Sequence, residues 1–282
     1  MKWTLEGFPE QKKLFEFLIE KGILTHAYLF SGPASIGKHL FAENIFVLAN
    51  NRPKFDSADP DLRLIQRKPE ESRISIETVR TIKQFVALSA FSGPYKFIII
   101  NEAEVMTDEA ANALLKVLEE PAPKTVFILI SSQPDQLPHT IASRCQEIRF
   151  AGHDSATIER ALAKSKLPAE DKIFIAELAQ GRLGWAMEMN DKTHIKKLKK
   201  AIDEFSELLN QPLAARLAYA KKIYEKEEYA HVVPYWLMWA YARRETLPNA
   251  PHVLSQLLTL HAHLAHSQYN HRLLLENTLI NL

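Results

Sequence analysis

The sequence predicts an α/β protein, in which a parallel sheet occupies about the first 150 residues and the remainder is helical. Apolar runs of strand length alternate with helical segments as far as Phe150, an order that is typical of parallel sheets. A glycine-containing segment, residues 32–39, follows the first apolar run as a phosphate-binding loop would. Beyond Phe150 the strand signals stop, and amphipathic helical periodicity takes over.

The predicted elements of the first part are short and clearly separated. Strands are expected at residues 27–31, 62–66, 97–101, 126–131 and 147–150, and helices at 40–49, 76–88 and 108–120. The strand at 97–101 begins with four apolar residues, which indicates burial on both faces of a sheet. The helix at 108–120 is the best delimited, because Thr107 can cap its start and Pro121 prevents its continuation.

The helical remainder divides at prolines. Helices are expected at residues 158–164, 172–180, 185–189, 202–209, 213–226, 232–244 and 253–282, and a charged stretch at 192–200 precedes the fourth of them. Pro212, Pro234 and Pro248 are expected to mark helix boundaries, because proline cannot donate the backbone hydrogen bond. The first three of these helices could form a small module, and a chain of this length suggests two or three domains.

Composition limits the possible functions. The chain has 282 residues and a formal net charge of +1, so it lacks the excess positive charge that tight binding of DNA by this chain alone would need. It has no apolar run of about 18 residues and no apolar signal core at its start, so we expect a cytoplasmic protein without a membrane partner. Its one cysteine, Cys145, excludes an internal disulfide and a zinc site made of several cysteines.

The segment from Gly32 to His39 matches the phosphate-loop pattern G-x-x-x-x-G-K-[ST] except at its last position. The Ser or Thr hydroxyl of that pattern ligates Mg²⁺, and the imidazole of His39 replaces it poorly. The Asp that ends the corresponding strand of nucleoside triphosphatases also binds the metal, and here it is Asn101. We therefore predict a degenerate nucleotide site formed by Gly32, Gly37, Lys38, His39, Asn101 and Glu102.

Lys38 has two possible roles. It could still bind a phosphate together with the backbone amides of residues 35–37. Alternatively the loop is a relic in which Lys38 pairs with a carboxylate such as Glu102, and the missing Mg²⁺ favours this second role. A metal site is not expected at His261, His263 and His266, because these positions do not share one helix face.

Four segments together carry a family resemblance: residues 26–32, 96–103, 112–121 and 140–145. The Leu-Leu-Lys-Val-Leu-Glu-Glu-Pro run and the Ser-Arg-Cys element, about 30 residues apart, are specific in combination. The chain resembles the bacterial clamp-loader subunits of DNA polymerase III, which are AAA+ proteins, along essentially its whole length. Within this family it resembles the stator type, whose own nucleotide site is degenerate. The resemblance implies an AAA+ P-loop domain at residues 1–151, a small helical lid at 152–190 and an all-α C-terminal collar at 191–282 that joins the subunits.

The resemblance also implies a role for Ser143, Arg144 and Cys145. This element would supply Arg144 as an arginine finger to the ATP site of a neighbouring subunit, where a permanent planar charge stabilises the transferring phosphoryl group. The implied partners are clamp-loader subunits of the delta and gamma or tau types, the sliding clamp and, weakly and within the complex, primer–template DNA. ATP and Mg²⁺ would bind the neighbours, and this chain would have no polymerase activity and no ATPase activity of its own.

Three departures from the family pattern accompany the resemblance. Many members hold zinc with four cysteines, but residues 50–61 contain none, so zinc is not expected. Gly184 stands where motor subunits carry a nucleotide-sensing arginine, and the portion from Asp191 onward is short. The alternatives are an active motor of the gamma or tau type, against which His39, Asn101 and Gly184 argue, and a stand-alone adaptor that reuses the fold.

Overall fold

The computed structural model describes residues 2–67, 71–264, 266 and 268–282. The chain divides into two compact units, one of residues 1–157 with 181–184 and the other of residues 158–180 with 185–282. The predicted three-domain division at residues 151 and 190 stays a prediction.

Within the described residues, the first unit contains a five-stranded sheet. Its strands are β1 (Ala27–Ser31), β2 (Leu62–Ile65), β3 (Lys96–Ile100), β4 (Thr125–Ser131) and β5 (Gln146–Arg149). Their order is β2-β3-β4-β1-β5, and every neighbouring pair is parallel. Strands β1, β3 and β4 are buried along their whole length, because helices cover both faces. The predicted parallel α/β fold is confirmed, with strand boundaries within one residue of those expected.

The helices of the first unit cover both faces of the sheet. They are α1 (Pro9–Lys21), α2 (Lys38–Ala49), α3 (Ile76–Val86), α4 (Asp108–Glu119) and α5 (His139–Ala142). One core contains Leu114 of α4 with Ile98 and Phe127, and the other contains Phe15 of α1 with Phe30. Helix α1 was not predicted, although Pro9 at its start and Gly22 in the left-handed conformation at its end are recognisable boundaries.

From Ser155 onward the described residues form helices and connecting turns. The helices are α6 (Ser155–Ala163), α7 (Ala169–Ala179), α8 (Leu183–Glu188), α9 (Lys192–Leu208), α10 (Leu213–Glu225), α11 (Tyr229–Ala242), α12 (Ala250–Leu264) and α13 (His271–Asn281). The predicted all-helical C-terminal part is confirmed. None of the described helices combines the length and the apolar character needed to cross a bilayer.

Three expectations about these helices were wrong. The helix expected at 202–209 begins ten residues earlier, at Lys192, so the charged stretch at 192–200 is the first half of α9. The side chain of Asp191 caps α9 by accepting from the backbone N–H of Thr193 at 2.7 Å. Pro234 lies inside α11 instead of at a boundary. Proline at this position removes only one backbone hydrogen bond, and the helix tolerates the loss because packing of the fully buried Val233 and Trp236 stabilises it.

The third error concerns the predicted helix at 253–282, which is two helices. Asn270 begins α13 by accepting a hydrogen bond from the backbone N–H of Leu273 at 3.2 Å. His266 therefore lies beyond the end of α12, which carries His261 and His263. Residues 265 and 267, which the prediction also included, lie outside the described residues.

A buried carboxylate connects the segment before β2 to the loop before β3. The side chain of Asp61, which is fully buried, accepts hydrogen bonds from the backbone N–H groups of Phe91, Ser92 and Gly93. The guanidinium of Arg52 donates to the same carboxylate at 2.9 Å. Burial alone would raise the pKa of Asp61, but the backbone bonds and the charge of Arg52 outweigh it and lower that pKa below its ordinary value.

Replacing Asp61 by Ala should destabilise the first unit by about 3–5 kcal/mol at pH 7, because it leaves three backbone N–H groups and Arg52 without their common acceptor. Hydrogen–deuterium exchange of the β2 and β3 amides measures the loss. A carboxyl whose pKa is lowered by folding stabilises above its unfolded pKa of about 3.9, so the advantage of wild type should shrink as the pH falls below that value. Equal exchange in wild type and variant at pH 7 would contradict this role.

Candidate functional site

The phosphate-loop-like segment connects β1 to α2, and its backbone makes close contacts. Gly32 has a positive φ of 140°, and a Cβ there would lie 2.0 Å from the carbonyl oxygen of Phe150. Gly37, with φ of 106°, is the residue before α2. Ser35 also has a positive φ, 58°. Glycine is thus required at 32, because a side chain has no space beside the Phe150 backbone.

Lys38 turns its ammonium onto the loop itself. Its Nζ donates to the carbonyl oxygens of Gly32 and Pro33, each at 2.6 Å, and the residue is 5% exposed. Burial lowers the pKa of Lys38 to about 8, and the charge of Glu104 opposes that shift. The suggested pairing of Lys38 with Glu102 was wrong, since the ammonium is held by the loop's own carbonyl groups.

The two positions that bind Mg²⁺ in the complete pattern offer this metal poor ligands. The imidazole of His39 contacts the carboxylate of Glu43, one turn further along α2, at 3.2 Å. Asn101 follows β3, and its backbone N–H donates to the carbonyl oxygen of Ile65 at 2.8 Å. Mg²⁺ prefers charged or hydroxyl oxygens in octahedral geometry, so an imidazole and a neutral amide fit it poorly.

The acidic residues after β3 have other partners. The carboxylate of Glu102 pairs with Arg67 at 3.3 Å. The carboxylate of Glu104 accepts from the backbone N–H of Ser132 at 3.0 Å and from its hydroxyl at 2.7 Å. Burial would raise the pKa of Glu104, but these bonds lower it below its ordinary value, so the carboxylate stays charged. Glu104 therefore links the end of β3 to the end of β4.

The other side of the loop is contacted by His153 and Phe8, neither of which was predicted to belong to the site. The Nε2 atom of His153 is 2.8 Å from the carbonyl oxygen of Ile36, and its ring packs on Phe8 with centroids 4.4 Å apart. A Cβ at Gly7 would lie 2.2 Å from the His153 ring. This contact joins positions 117 residues apart in the chain, and no local pattern predicts it.

Gly184 lies against the loop backbone. A Cβ at this position would be 2.6 Å from the carbonyl oxygen of Ser35, which is shorter than any van der Waals contact. Hence the carbonyl groups of residues 32, 33, 35 and 36 all face other groups of the same unit. The position that carries an arginine in motor relatives, according to the resemblance, has no room here even for a methyl group.

Ser143, Arg144 and Cys145 form the turn between α5 and β5. The guanidinium of Arg144 donates to the carbonyl oxygen of Thr140 at 2.8 Å and to the carboxylate of Glu119 at 2.7 Å, and its side chain is 36% exposed. The hydroxyl of Ser143 donates to the same Thr140 carbonyl at 3.3 Å. Cys145 packs against the core between the sheet and α4, and burial raises the pKa of its thiol to about 12.

The structure does not bring Arg144 to the phosphate-like loop of its own chain. The strands β1 and β5 are parallel neighbours, with Tyr28 opposite Gln146 and Ser31 opposite Arg149. The loop follows the carboxyl end of β1, whereas Arg144 precedes the amino end of β5. At about 3.3 Å per residue, the paired length alone separates the two by roughly 10 Å.

Among the described residues, no group of three or more His, Cys, Asp and Glu side chains could hold a metal ion. The metal-free expectation nevertheless stays a prediction, as do the roles assigned to the candidate nucleotide-site residues and to Ser143, Arg144 and Cys145.

The parallel sheet, the loop between β1 and α2 and the helical C-terminal part define an α/β protein of the P-loop type with a helical part after it. The structure of a DNA polymerase III gamma subunit-related protein from Thermotoga maritima aligns with a TM-score of 0.62 and 20% identity, covering 95% of this chain and 96% of that one. The family model described as "DNA polymerase III, delta subunit" matches residues 7–154. Because this model spans residues 7–154 and a curated DNA polymerase III delta-prime subunit matches 74% of the chain, the chain belongs to the family of DNA polymerase III delta-prime subunits.

Two curated relatives illustrate this membership. The DNA polymerase III delta-prime subunit of Pseudomonas aeruginosa is 32% identical over 225 residues, which cover 74% of this chain and 69% of that protein. The tau/gamma subunit of Haemophilus influenzae is 30% identical over 188 residues, or 60% of this chain and 27% of that protein. Similarity thus extends to both kinds of subunit.

Replacing Gly184 by Ala should destabilise the protein by about 1–3 kcal/mol, because the new methyl group overlaps the Ser35 carbonyl oxygen and backbone atoms must move. The expected result is a thermal midpoint lower by roughly 2–4 °C per kcal/mol. Met187→Ala, at an exposed position of the same helix, is the control and should melt with wild type. An unchanged midpoint for Gly184→Ala would mean that the loop does not lie against this position.

Cys145 should resist thiol reagents in the folded protein. With its pKa raised to about 12 by burial, the thiolate fraction at pH 8 is roughly 10³-fold smaller than that of a free cysteine, whose pKa is about 8.5. Labelling with a chromogenic disulfide reagent should be correspondingly slow in buffer and rapid in urea. Equal rates in the two conditions would contradict the burial of this thiol.

Proposed function

We propose that this chain is the stator subunit of a DNA polymerase III clamp loader and that it donates Arg144 in trans to the ATP site of a neighbouring subunit. In this function it takes part in ATP-dependent loading of the sliding clamp onto primed DNA during replication. It has no polymerase activity and does not hydrolyse ATP itself. Its collar, in the C-terminal helical part, joins it to the other subunits.

The placement of Arg144 carries the proposal. This residue lies at the amino end of β5, and the loop of its own chain lies at the carboxyl end of the neighbouring β1. A guanidinium so placed can complete an ATP site only on another molecule. It is partly exposed and fixed by two hydrogen bonds, which suits a group that must approach a neighbour's phosphates.

The state of the chain's own loop supports the absence of ATP turnover. The ammonium of Lys38 is engaged by the carbonyl groups of Gly32 and Pro33. His39 and Asn101 are poor ligands for Mg²⁺, which neutralises the phosphates in working sites. Gly184 occupies the position at which, according to the resemblance, motor subunits carry a nucleotide-sensing arginine. The engaged Lys38 and the residues at 39, 101 and 184 all affect one nucleotide site, so the loop's remaining role is structural.

The partners follow from the family. Relatives bear the names delta-prime and tau/gamma, so the proposed complex contains delta and gamma or tau subunits together with this one. The sliding clamp and primer–template DNA complete the list, with DNA bound weakly and only within the complex, since a net charge of +1 provides little attraction. ATP and Mg²⁺ bind the neighbours, zinc is not needed here, and the complex works in the cytoplasm.

An active motor of the gamma or tau type is the second candidate, because the tau/gamma relative is almost as similar as the delta-prime one. It would require Lys38 to leave the loop carbonyls and Mg²⁺ to bind without the hydroxyl and carboxylate of the complete pattern. The stator function requires neither change.

In a reconstituted loader with clamp and primed DNA, Arg144→Ala should lower ATP turnover by about tenfold or more, because trans arginine fingers contribute roughly 10³ to 10⁵ in rate at the site that they complete. Two controls are informative. Arg149→Ala removes a more exposed arginine five residues further on, and Lys38→Met removes the loop ammonium; both should retain turnover within about twofold.

Size-exclusion chromatography must show intact assembly for each variant, so that loss of turnover is not loss of the complex. Unchanged turnover with Arg144→Ala would refute the donation of Arg144. A loss mainly with Lys38→Met would instead identify this chain as a motor.

A further inference from the structure

The guanidinium of Arg144 is held by Glu119, the last residue of α4. Its Nη2 atom donates to the Oε1 atom of Glu119 at 2.7 Å, while its Nη1 atom donates to the carbonyl oxygen of Thr140 at 2.8 Å. We infer that Glu119 is a positioning residue for Arg144, orienting the guanidinium before the neighbouring subunit's ATP site closes on it. This inference rests on the proposed function of Arg144.

Two bonds on different nitrogens fix the plane of the guanidinium, which one bond would leave free to rotate. An arginine has five N–H groups, and these bonds use two of them, so donors remain for phosphoryl oxygens. A side chain with several rotatable bonds loses entropy when it is ordered. Glu119 and Thr140 order Arg144 within its own subunit, in advance of the reaction, and preorganised donors are the effective ones in stabilising developing charge.

Both anchors lie on elements that the core holds in place. Glu119 ends α4, whose preceding residue, Leu118, is 1% exposed, and Thr140 lies in α5 beside Ile141, which is fully buried. The carboxyl end of α4 also attracts a cation, because the helix dipole is negative there. Arg144 is thus fixed to two rigid points, although its own side chain is partly exposed.

The ion pair contributes little to the stability of the fold, which makes the inference testable. The Glu119 side chain is 50% exposed, and exposed ion pairs stabilise proteins weakly. Glu120 is a matched control, because it is also exposed at the end of α4. In the part of the chain that the structure describes, Arg144 is bonded to the carboxylate of Glu119 and not to that of Glu120.

The test measures kcat and KM for ATP in the reconstituted loader with clamp and primed DNA. Glu119→Ala should lower kcat by about three- to tenfold and leave KM unchanged, because it removes one hydrogen bond that orients a transition-state group. Glu119→Gln keeps an acceptor oxygen but loses the charge, so its kcat should lie between those of Glu119→Ala and wild type. The kcat of Glu120→Ala should equal that of wild type.

The double variant Glu119→Ala/Arg144→Ala separates positioning from a structural effect. If Glu119 acts only through Arg144, adding Glu119→Ala to Arg144→Ala lowers turnover no further. Three results would each overturn the inference. Glu119→Ala could lower turnover equally in the wild-type and Arg144→Ala backgrounds, leave kcat at the wild-type value, or increase kcat. If Arg144→Ala itself retained turnover, the proposed function would fail first and the positioning role with it; the Arg144→Ala arm alone identifies that case.

Discussion

Strand polarity is the constraint on which the rest of this structure depends. Because β1 and β5 run parallel and side by side, a segment that follows one and a segment that precedes the other must lie at opposite ends of the sheet. The loop at residues 32–37 and the arginine at 144 are such segments. The chain therefore presents two separate faces, one with an altered nucleotide loop and one with an ordered guanidinium. The proposed donation of Arg144 to a neighbouring site therefore needs no change at the chain's own loop.

The altered loop is filled with contacts from its own unit. Its carbonyl groups face an ammonium, an imidazole and the backbone near Gly184. Working phosphate loops present backbone N–H groups and a lysine to the nucleotide. Here the lysine satisfies carbonyl groups that would otherwise be buried without a donor. The loop is thus part of the packing between β1, α2 and the segment around His153, and Gly32 is needed there because a side chain has no space beside the Phe150 backbone.

The fold could be predicted from the sequence more completely than the site. Continuous apolar runs located β1, β3 and β4, because these strands are buried on both faces. The partly exposed β2 and β5 were placed within one residue by the alternation of strand and helix signals. Pro234 was wrongly predicted to mark a helix boundary. It lies inside α11, because proline near a helix start removes only one hydrogen bond and packing compensates for it. The contact of His153 with the loop and that of Glu119 with Arg144 were not predicted. Each joins residues that are distant in sequence, and no spacing rule predicts such contacts.

The contact between Ser35 and Gly184 also bears on how such a subunit can evolve. The carbonyl oxygen of Ser35 occupies the space in which any side chain at 184 would have to begin. A single substitution to arginine there would be harmful, because the loop would first have to withdraw. A larger residue at 184 would therefore need a compensating change in the loop at residues 32–37. Sterics at one glycine thus make this arrangement resistant to change by single substitutions.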